Sequence, residues 1–265
     1  MSAIGTGLRV ARDGDVAHVV LARPERHNAF EPQLIGALQS CFQQLGADPA
    51  LRVIVLGAEG ETFCSGADLG WMRALADADP EAQRQDARQL GLMLDAVASC
   101  SKPVIARVQG DAWGGGVGLI AACDLALGLE ACRFALSEVR LGLIAATIMP
   151  YLLRAIGPRQ CARYCLSAER FDAAEAQRIG LLHVCAADAA ALDAALERCC
   201  SQLLAGGPRA QTATKRLLAQ AGGRALDADL LQLCADQLAR VRGGDEAREG
   251  IDAFLQRRPP GWRGG

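Results

Sequence analysis

Two glycine-rich segments and one acidic segment hold the residues best suited to chemistry. Phe63-Cys64-Ser65-Gly66-Ala67-Asp68-Leu69 follows a predicted strand. Gly110-Asp111-Ala112-Trp113-Gly114-Gly115-Gly116 follows another and leads into a predicted helix. Glycine admits torsions closed to other residues and leaves no side chain in the way, so each segment can present a free backbone N–H to a ligand. In the second segment these N–H groups also lie at a helix N-terminus, where the macrodipole favours negative charge. Taken alone, either segment also reads as a tight strand-to-helix turn. The acidic segment is Ser137-Glu138-Val139-Arg140-Leu141-Gly142. Glu138 is either an acid/base group or a surface carboxylate paired with Arg140. Beside an apolar pocket its pKa would rise, which suits proton transfer near neutrality.

Other chemistries fit less well. Gly116-Val117-Gly118-Leu119-Ile120-Ala121 matches GxGxxA, but no acidic residue ends a second strand about 20 residues later, so a dinucleotide site is not expected. Ser65 lacks the GxSxG frame, because Phe63 stands where the first glycine belongs. His18, His27 and His183 form no catalytic set. The 11 cysteines are scattered and odd in number, and they contain no CxxC pair. They read as small buried residues in a reducing cytoplasm, with neither disulfides nor zinc. A net charge of −2 with mixed signs argues against a nucleic-acid or membrane-surface partner. Met1–Val10 lacks the features of a signal peptide. The longest apolar stretch, Trp113–Ala122, is too short and glycine-rich to span a bilayer.

Elements that would position these segments can be read from periodicity. Leu8–Ala11 and Val16–Leu21 flank Asp13-Gly14 as a hairpin. Leu34, Leu38 and Leu45, with Cys41 beside them, mark a helix that Asp48-Pro49 ends. Arg52–Leu56 and Val104–Val108 read as buried strands, and Pro80–Ala98 as a helix. Glu59–Gly70 reads as a loop and Val117–Cys123 as an apolar helix. Leu125–Leu127 and Arg133–Leu136 read as short strands. Asp172 and Glu175 form a capping box, and helices dominate from Ile148 onward. The pattern predicts an α/β fold with a helical C-terminal region, divided at residues 1–200 and 201–265.

With these residues in view, the chain resembles the enoyl-CoA hydratase/isomerase (crotonase) superfamily. Phe63–Leu69 resembles its first oxyanion-hole motif and Gly114-Gly115-Gly116 its second. Pro24-Glu25-Arg26-His27-Asn28-Ala29 is similar to its coenzyme-A loop, and Ser137–Gly142 to the segment with a catalytic glutamate. Glu249–Phe254 with Arg257-Arg258 is similar to its C-terminal helix. The resemblance implies a spiral of ββα units with a helical trimerisation region, assembled as a homotrimer or a dimer of trimers. It implies that the N–H groups of Ala67 and Gly115 hold a thioester enolate and that Glu138 moves the proton. Contact with acyl-CoA would involve Arg26, His27, Ala29, Ser65, Asp68, Leu69, Gly70, Trp71, Trp113, Gly114, Gly118 and Leu143. Phe254 and Arg257 would reach the coenzyme A of a neighbouring subunit. Coenzyme A is then part of the substrate, and no separate cofactor or metal is expected.

One position departs from the pattern. Two-glutamate hydratases carry their second carboxylate where this chain has Gly118. Three readings follow: a one-glutamate hydratase, an enoyl-CoA isomerase, or a non-catalytic acyl-CoA-binding protein. The contexts of Gly118, Asp68–Met72 and His27–Phe30 look like the bacterial methylglutaconyl-CoA hydratase branch, which favours hydration. Arg73, Arg84 and Arg140 are candidate partners for a substrate carboxylate.

Overall fold

The computed structural model describes residues 2–4 and 7–263. An antiparallel start, β1 (Ser2–Ile4), β2 (Leu8–Asp13) and β3 (Val16–Leu21), is followed by α1 (Pro32–Ala47). Three strand pairs then alternate with helices. β4 (Val53–Ala58) and β5 (Thr62–Cys64) precede α2 (Leu69–Ala76) and α3 (Pro80–Ala98). β6 (Val104–Val108) and β7 (Asp111–Trp113) precede α4 (Gly115–Ala122). β8 (Leu125–Leu129) and β9 (Arg133–Ala135) precede α5 (Met149–Ser167). The chain continues through β10 (Phe171–Asp172), α6 (Ala173–Ile179), β11 (Val184–Ala186) and α7 (Ala189–Ala205). It ends with α8 (Pro208–Ala221), α9 (Ala228–Arg242) and α10 (Asp245–Leu255).

The first strand of each pair joins a seven-stranded sheet in the order β1-β2-β3-β4-β6-β8-β11, parallel from β3 onward. The second joins a four-stranded sheet in the order β10-β9-β7-β5, where β5, β7 and β9 run parallel. This is the α/β spiral of ββα units that the motifs imply. β4 explains why parallel strands read as unbroken apolar runs. Ile54 and Leu56 enter the main core beneath α1, α3 and α4, while Val53 and Val55 pack on the opposite face against Leu192, Ala195 and Leu196 of α7. In α1, Leu34, Ile35, Leu38, Cys41 and Phe42 are buried, a stripe one helical face wide. Six cysteines are buried as apolar filler: Cys41, Cys64, Cys100, Cys123, Cys132 and Cys161. Burial pushes the Cys64 thiol up to about 12.

Several local expectations shift. The hairpin turn is Gly14-Asp15, with Asp13 still paired to Val16, because Gly14 takes the positive φ of +54°. The Glu59–Gly70 loop contains β5, and the glycine-rich 110–118 segment contains β7. The capping box is half made. Asp172 accepts the Glu175 N–H at 2.9 Å, but the Glu175 carboxylate turns to Tyr164 and Arg178. The boundary expected at residue 200 falls inside α7, which ends at Ala205 before Gly206-Gly207.

Asn28, fully buried at φ +53°, ties the early loop to the strands beneath. Its Oδ1 accepts from Arg23 N–H at 2.9 Å, and its Nδ2 donates to the carbonyls of Glu59 at 2.9 Å and Thr62 at 2.8 Å. Asn28→Ala leaves those backbone groups without partners, and alanine tolerates positive φ less well. Urea unfolding should register a loss of about 2–4 kcal/mol. A loss within experimental error contradicts the latch.

Candidate active site

The site begins with the smaller sheet. β5, β7 and β9 are adjacent and parallel, so their carboxyl ends emerge side by side, about 5 Å apart from strand to strand. β5 runs into Ser65-Gly66-Ala67-Asp68, β7 into Gly114-Gly115, and β9 into Leu136-Ser137-Glu138. Three segments far apart in the chain thus meet at one sheet edge. Their approach is close enough to exclude side chains. A Cβ on Gly66, at φ +82°, would lie 2.8 Å from the Trp113 carbonyl and 3.1 Å from the Gly115 nitrogen. A Cβ on Gly116 would fall 2.2 Å from the Cys64 carbonyl oxygen.

The two amides named from sequence are oriented by different means. Phe30 makes a parallel bridge with Ala67, donating its N–H to the Gly66 carbonyl at 2.7 Å and accepting from Asp68 N–H at 2.9 Å. Peptide groups alternate along an extended strand, so the N–H of Ala67 points away from Phe30. Gly115 is the first residue of α4, where N–H groups have no partner within the helix. Among the described residues, neither the Ala67 N–H nor the Gly115 N–H has an acceptor.

Glu138 opens a short 3₁₀ turn, Glu138–Leu141, closed by Gly142 in the left-handed region. Its carboxylate lies over Gly114, at φ +50°, where a Cβ would come within 3.0 Å of Oε1. Its Oε2 is buried with no hydrogen-bond partner. Burial raises the carboxyl above its ordinary value, and a hydrogen bond from its own backbone N–H opposes the rise only in part. Arg140, the expected partner in a surface pair, makes no ion pair among the described residues and is exposed.

Asp68 and Asp111 are occupied elsewhere. Asp68 caps α2 through Trp71 N–H at 2.9 Å and pairs with Arg26 at 2.8 Å; the Arg26 guanidinium, then the Trp71 N–H, hold its carboxyl below the usual range. Asp111 accepts from Arg133 N–H at 2.8 Å. His27 is exposed, with a contact to Thr62, while Ala29 is buried and Ser65 donates its N–H to the His27 carbonyl. Leu69, followed by Gly70, is largely exposed at the start of α2, and Trp71 half-buried against the core. Trp113 is half-buried under the guanidinium of Arg170, 5.3 Å from its ring centre. Leu143 is partly exposed, and its N–H donates to the Glu138 carbonyl at 3.0 Å.

Gly118 departs from its expected place beside substrate. It is buried within α4, and a Cβ there would sit 2.1 Å from Cγ2 of Ile148. The space for a second carboxylate is filled by that isoleucine. Phe254 is exposed on α10 and Arg257 follows it; α10 packs on α8 and α9, so a single chain does not bring either residue to Glu138. Sequence reading passed over Phe30, Ile148 and Arg170 as partners of the site. Phe30 and Ile148 act by backbone bridging and by volume, which leave no motif.

A carboxylate whose folded pKa is raised favours folding while protonated and costs stability as pH rises through that raised value. Glu138→Gln keeps the shape and removes the charge. It should therefore melt above the parent protein near about pH 8, with the gap closing toward about pH 4. Calorimetry across this range checks it; a gap independent of pH contradicts the buried charge.

Comparison with known proteins extends this picture. The family model described as enoyl-CoA hydratase/isomerase matches residues 11–265. An enoyl-CoA hydratase structure from Shewanella pealeana superposes with a TM-score of 0.93 at 37% identity, covering 97% of this chain and 96% of that one. The 2,3-dehydroadipyl-CoA hydratase of Escherichia coli is 34% identical over 97% of this chain and 98% of its own length. A mitochondrial Delta(3,5)-Delta(2,4)-dienoyl-CoA isomerase of Dictyostelium discoideum is 27% identical over 92% of this chain and 86% of its own. With its motifs gathered at one sheet edge and a match along nearly its whole length, this chain belongs to the enoyl-CoA hydratase/isomerase family.

Proposed function

We propose that the protein hydrates 2-enoyl-CoA thioesters with Glu138 as its single acid–base group. The observation that carries this reading is a half-buried carboxylate, its Oε2 buried without a partner, beside two backbone N–H groups without acceptors. The N–H groups of Ala67 and Gly115 receive the thioester oxygen. The Glu138 carboxylate takes a proton from water as its oxygen bonds to C3, and the C2=C3 electron pair moves into an enolate whose charge rests on the thioester oxygen. Glu138 then returns the proton to C2. One water is consumed and the carboxylate is restored. The amides bind the enolate better than the neutral thioester, which lowers the barrier.

Arg26 and His27 on the early loop, with Ala29, Ser65, Leu69 and Gly70, support a path for the coenzyme-A portion. Phe254 and Arg257 would act on a neighbouring copy in a trimer or dimer of trimers. The exposed apolar residues Leu231, Leu238 and Ile251 of the C-terminal helices support such an assembly.

For the acyl group we favour 3-methylglutaconyl-CoA or a similar dicarboxylic thioester. The likeness to a 2,3-dehydroadipyl-CoA hydratase supports a second carboxylate. Arg73 and Arg140 are exposed without acidic partners among the described residues, whereas Arg84 pairs with Glu81 at 2.6 Å. A second reading, enoyl-CoA isomerisation, draws on the absence of room for a second carboxylate at Gly118 and on the isomerase relative. One carboxylate can shuttle a proton between C2 and C4. Hydration of 2-enoyl thioesters in a panel assay supports the first reading; conversion of 3-enoyl to 2-enoyl thioesters without hydration replaces it with the second.

Glu138→Gln should lower kcat for hydration by about 10²–10⁴-fold, with a smaller change in KM. Undiminished turnover removes Glu138 from the reaction. Gly118→Glu should not create a two-carboxylate hydratase. Its side chain meets Ile148, and denaturant unfolding should show a loss of about 3 kcal/mol with no gain in rate.

A further inference from the structure

A cavity outside the Glu138 site shares no lining residue with the loops that carry Ala67, Gly115 and Glu138. It has a volume of about 640 Å³ and sits where α8 and α9 pack over the amino ends of β4 and β6. Five cations line the cavity: Arg52, Lys102, Arg209, Arg216 and Arg240. Among the described residues no acidic one lines it. Among the described residues none of the five forms an ion pair, although the chain contains many such pairs and its net charge is −2. The nearby acids are engaged elsewhere. Asp124 holds Lys215 at 2.6 Å, Asp48 faces Arg12, and Glu246 accepts the backbone N–H groups of Arg209 and Ala210.

Arg52 makes the arrangement more than a loose basic surface. It is 9% exposed, and its guanidinium meets only neutral carbonyls, those of Gly206 at 2.6 Å and Trp262 at 3.3 Å. Its Nε is buried without a partner. A buried guanidinium with no counter-charge is costly, and four further cations lining the same cavity add to the repulsion. An anion in the cavity relieves both. Gln211 also lines the cavity; its Nε2 donates to the Leu203 carbonyl at 2.6 Å, and its Oε1 is buried without a donor.

We propose that this cavity binds a phosphorylated small molecule carrying at least two phosphoryl groups, at a site separate from acyl-CoA. Its volume suits a small ligand, and guanidinium groups pair with phosphate in a forked geometry. Occupancy would brace α8 and α9 against the core sheet.

Pyrophosphate is the probe. Isothermal titration of the full-length protein should show saturable binding at one site per chain, weakening as salt is raised. Arg216→Gln/Arg240→Gln alters two exposed side chains, so it should fold and turn over substrate like the parent. It should bind pyrophosphate at least about tenfold more weakly. No saturable binding, or equal affinity in the double variant, overturns the proposal. So does a parent that ignores pyrophosphate while the double variant changes its oligomeric state, since the cations then serve an interface between copies. Unchanged hydration kinetics in the double variant keep this outcome distinct from any failure of the Glu138 assignment.

Discussion

The proposed chemistry rests on how closely the carboxyl ends of β5, β7 and β9 approach one another. Gly66 presses toward the Trp113 carbonyl and Gly115 nitrogen, and Gly116 presses against Cys64. At those distances any side chain would force the strands apart, and the amides of Ala67 and Gly115 would separate with them. Such preorganisation is what gives backbone donors their catalytic value, since they need no rearrangement as charge develops. The cost lies in glycine's conformational entropy, and the large apolar core on both faces of the longer sheet offsets it.

Glu138 stands in tension with that stability. A carboxyl group half-covered over Gly114, with one oxygen lacking any partner, is a poor contributor to folding. The same surroundings raise its pKa, which suits the proton transfer proposed for it. Asp68 and Asp111 are tied into a cap, an ion pair and a backbone hydrogen bond, in keeping with the proposal that Glu138 alone transfers the proton. Ile148 enforces that economy by filling the space beside Gly118.

Much of this was legible in the residue order. The periodic stripe of α1, the Ala-, Gln- and Arg-rich composition of α3 and the buried run of β4 read directly. The motifs around Gly66, Gly115 and Glu138 identified the family, because close backbone approach demands glycine at fixed places. The smaller sheet was not legible as strands. β5 and β7 are three residues each, too short for alternation to register, and their glycine-rich flanks read as loop. The bridge of Phe30 to Ala67 is a main-chain interaction that any side chain could make. The displacement of Gly118 by Ile148 joins residues 30 positions apart through packing volume alone. The Arg52 cavity depends on elements from both ends of the chain and carries no local signature.

The central claim is that two main-chain amides polarise one thioester carbonyl, and vibrational spectroscopy addresses it most directly. Raman difference spectra of a bound unsaturated acyl-CoA should show the thioester carbonyl stretch shifted to lower frequency than in water. The shift should persist in Glu138→Gln, because the donors belong to the backbone. A carbonyl frequency unchanged on binding, or a shift that vanishes with the Glu138 charge, would contradict the account.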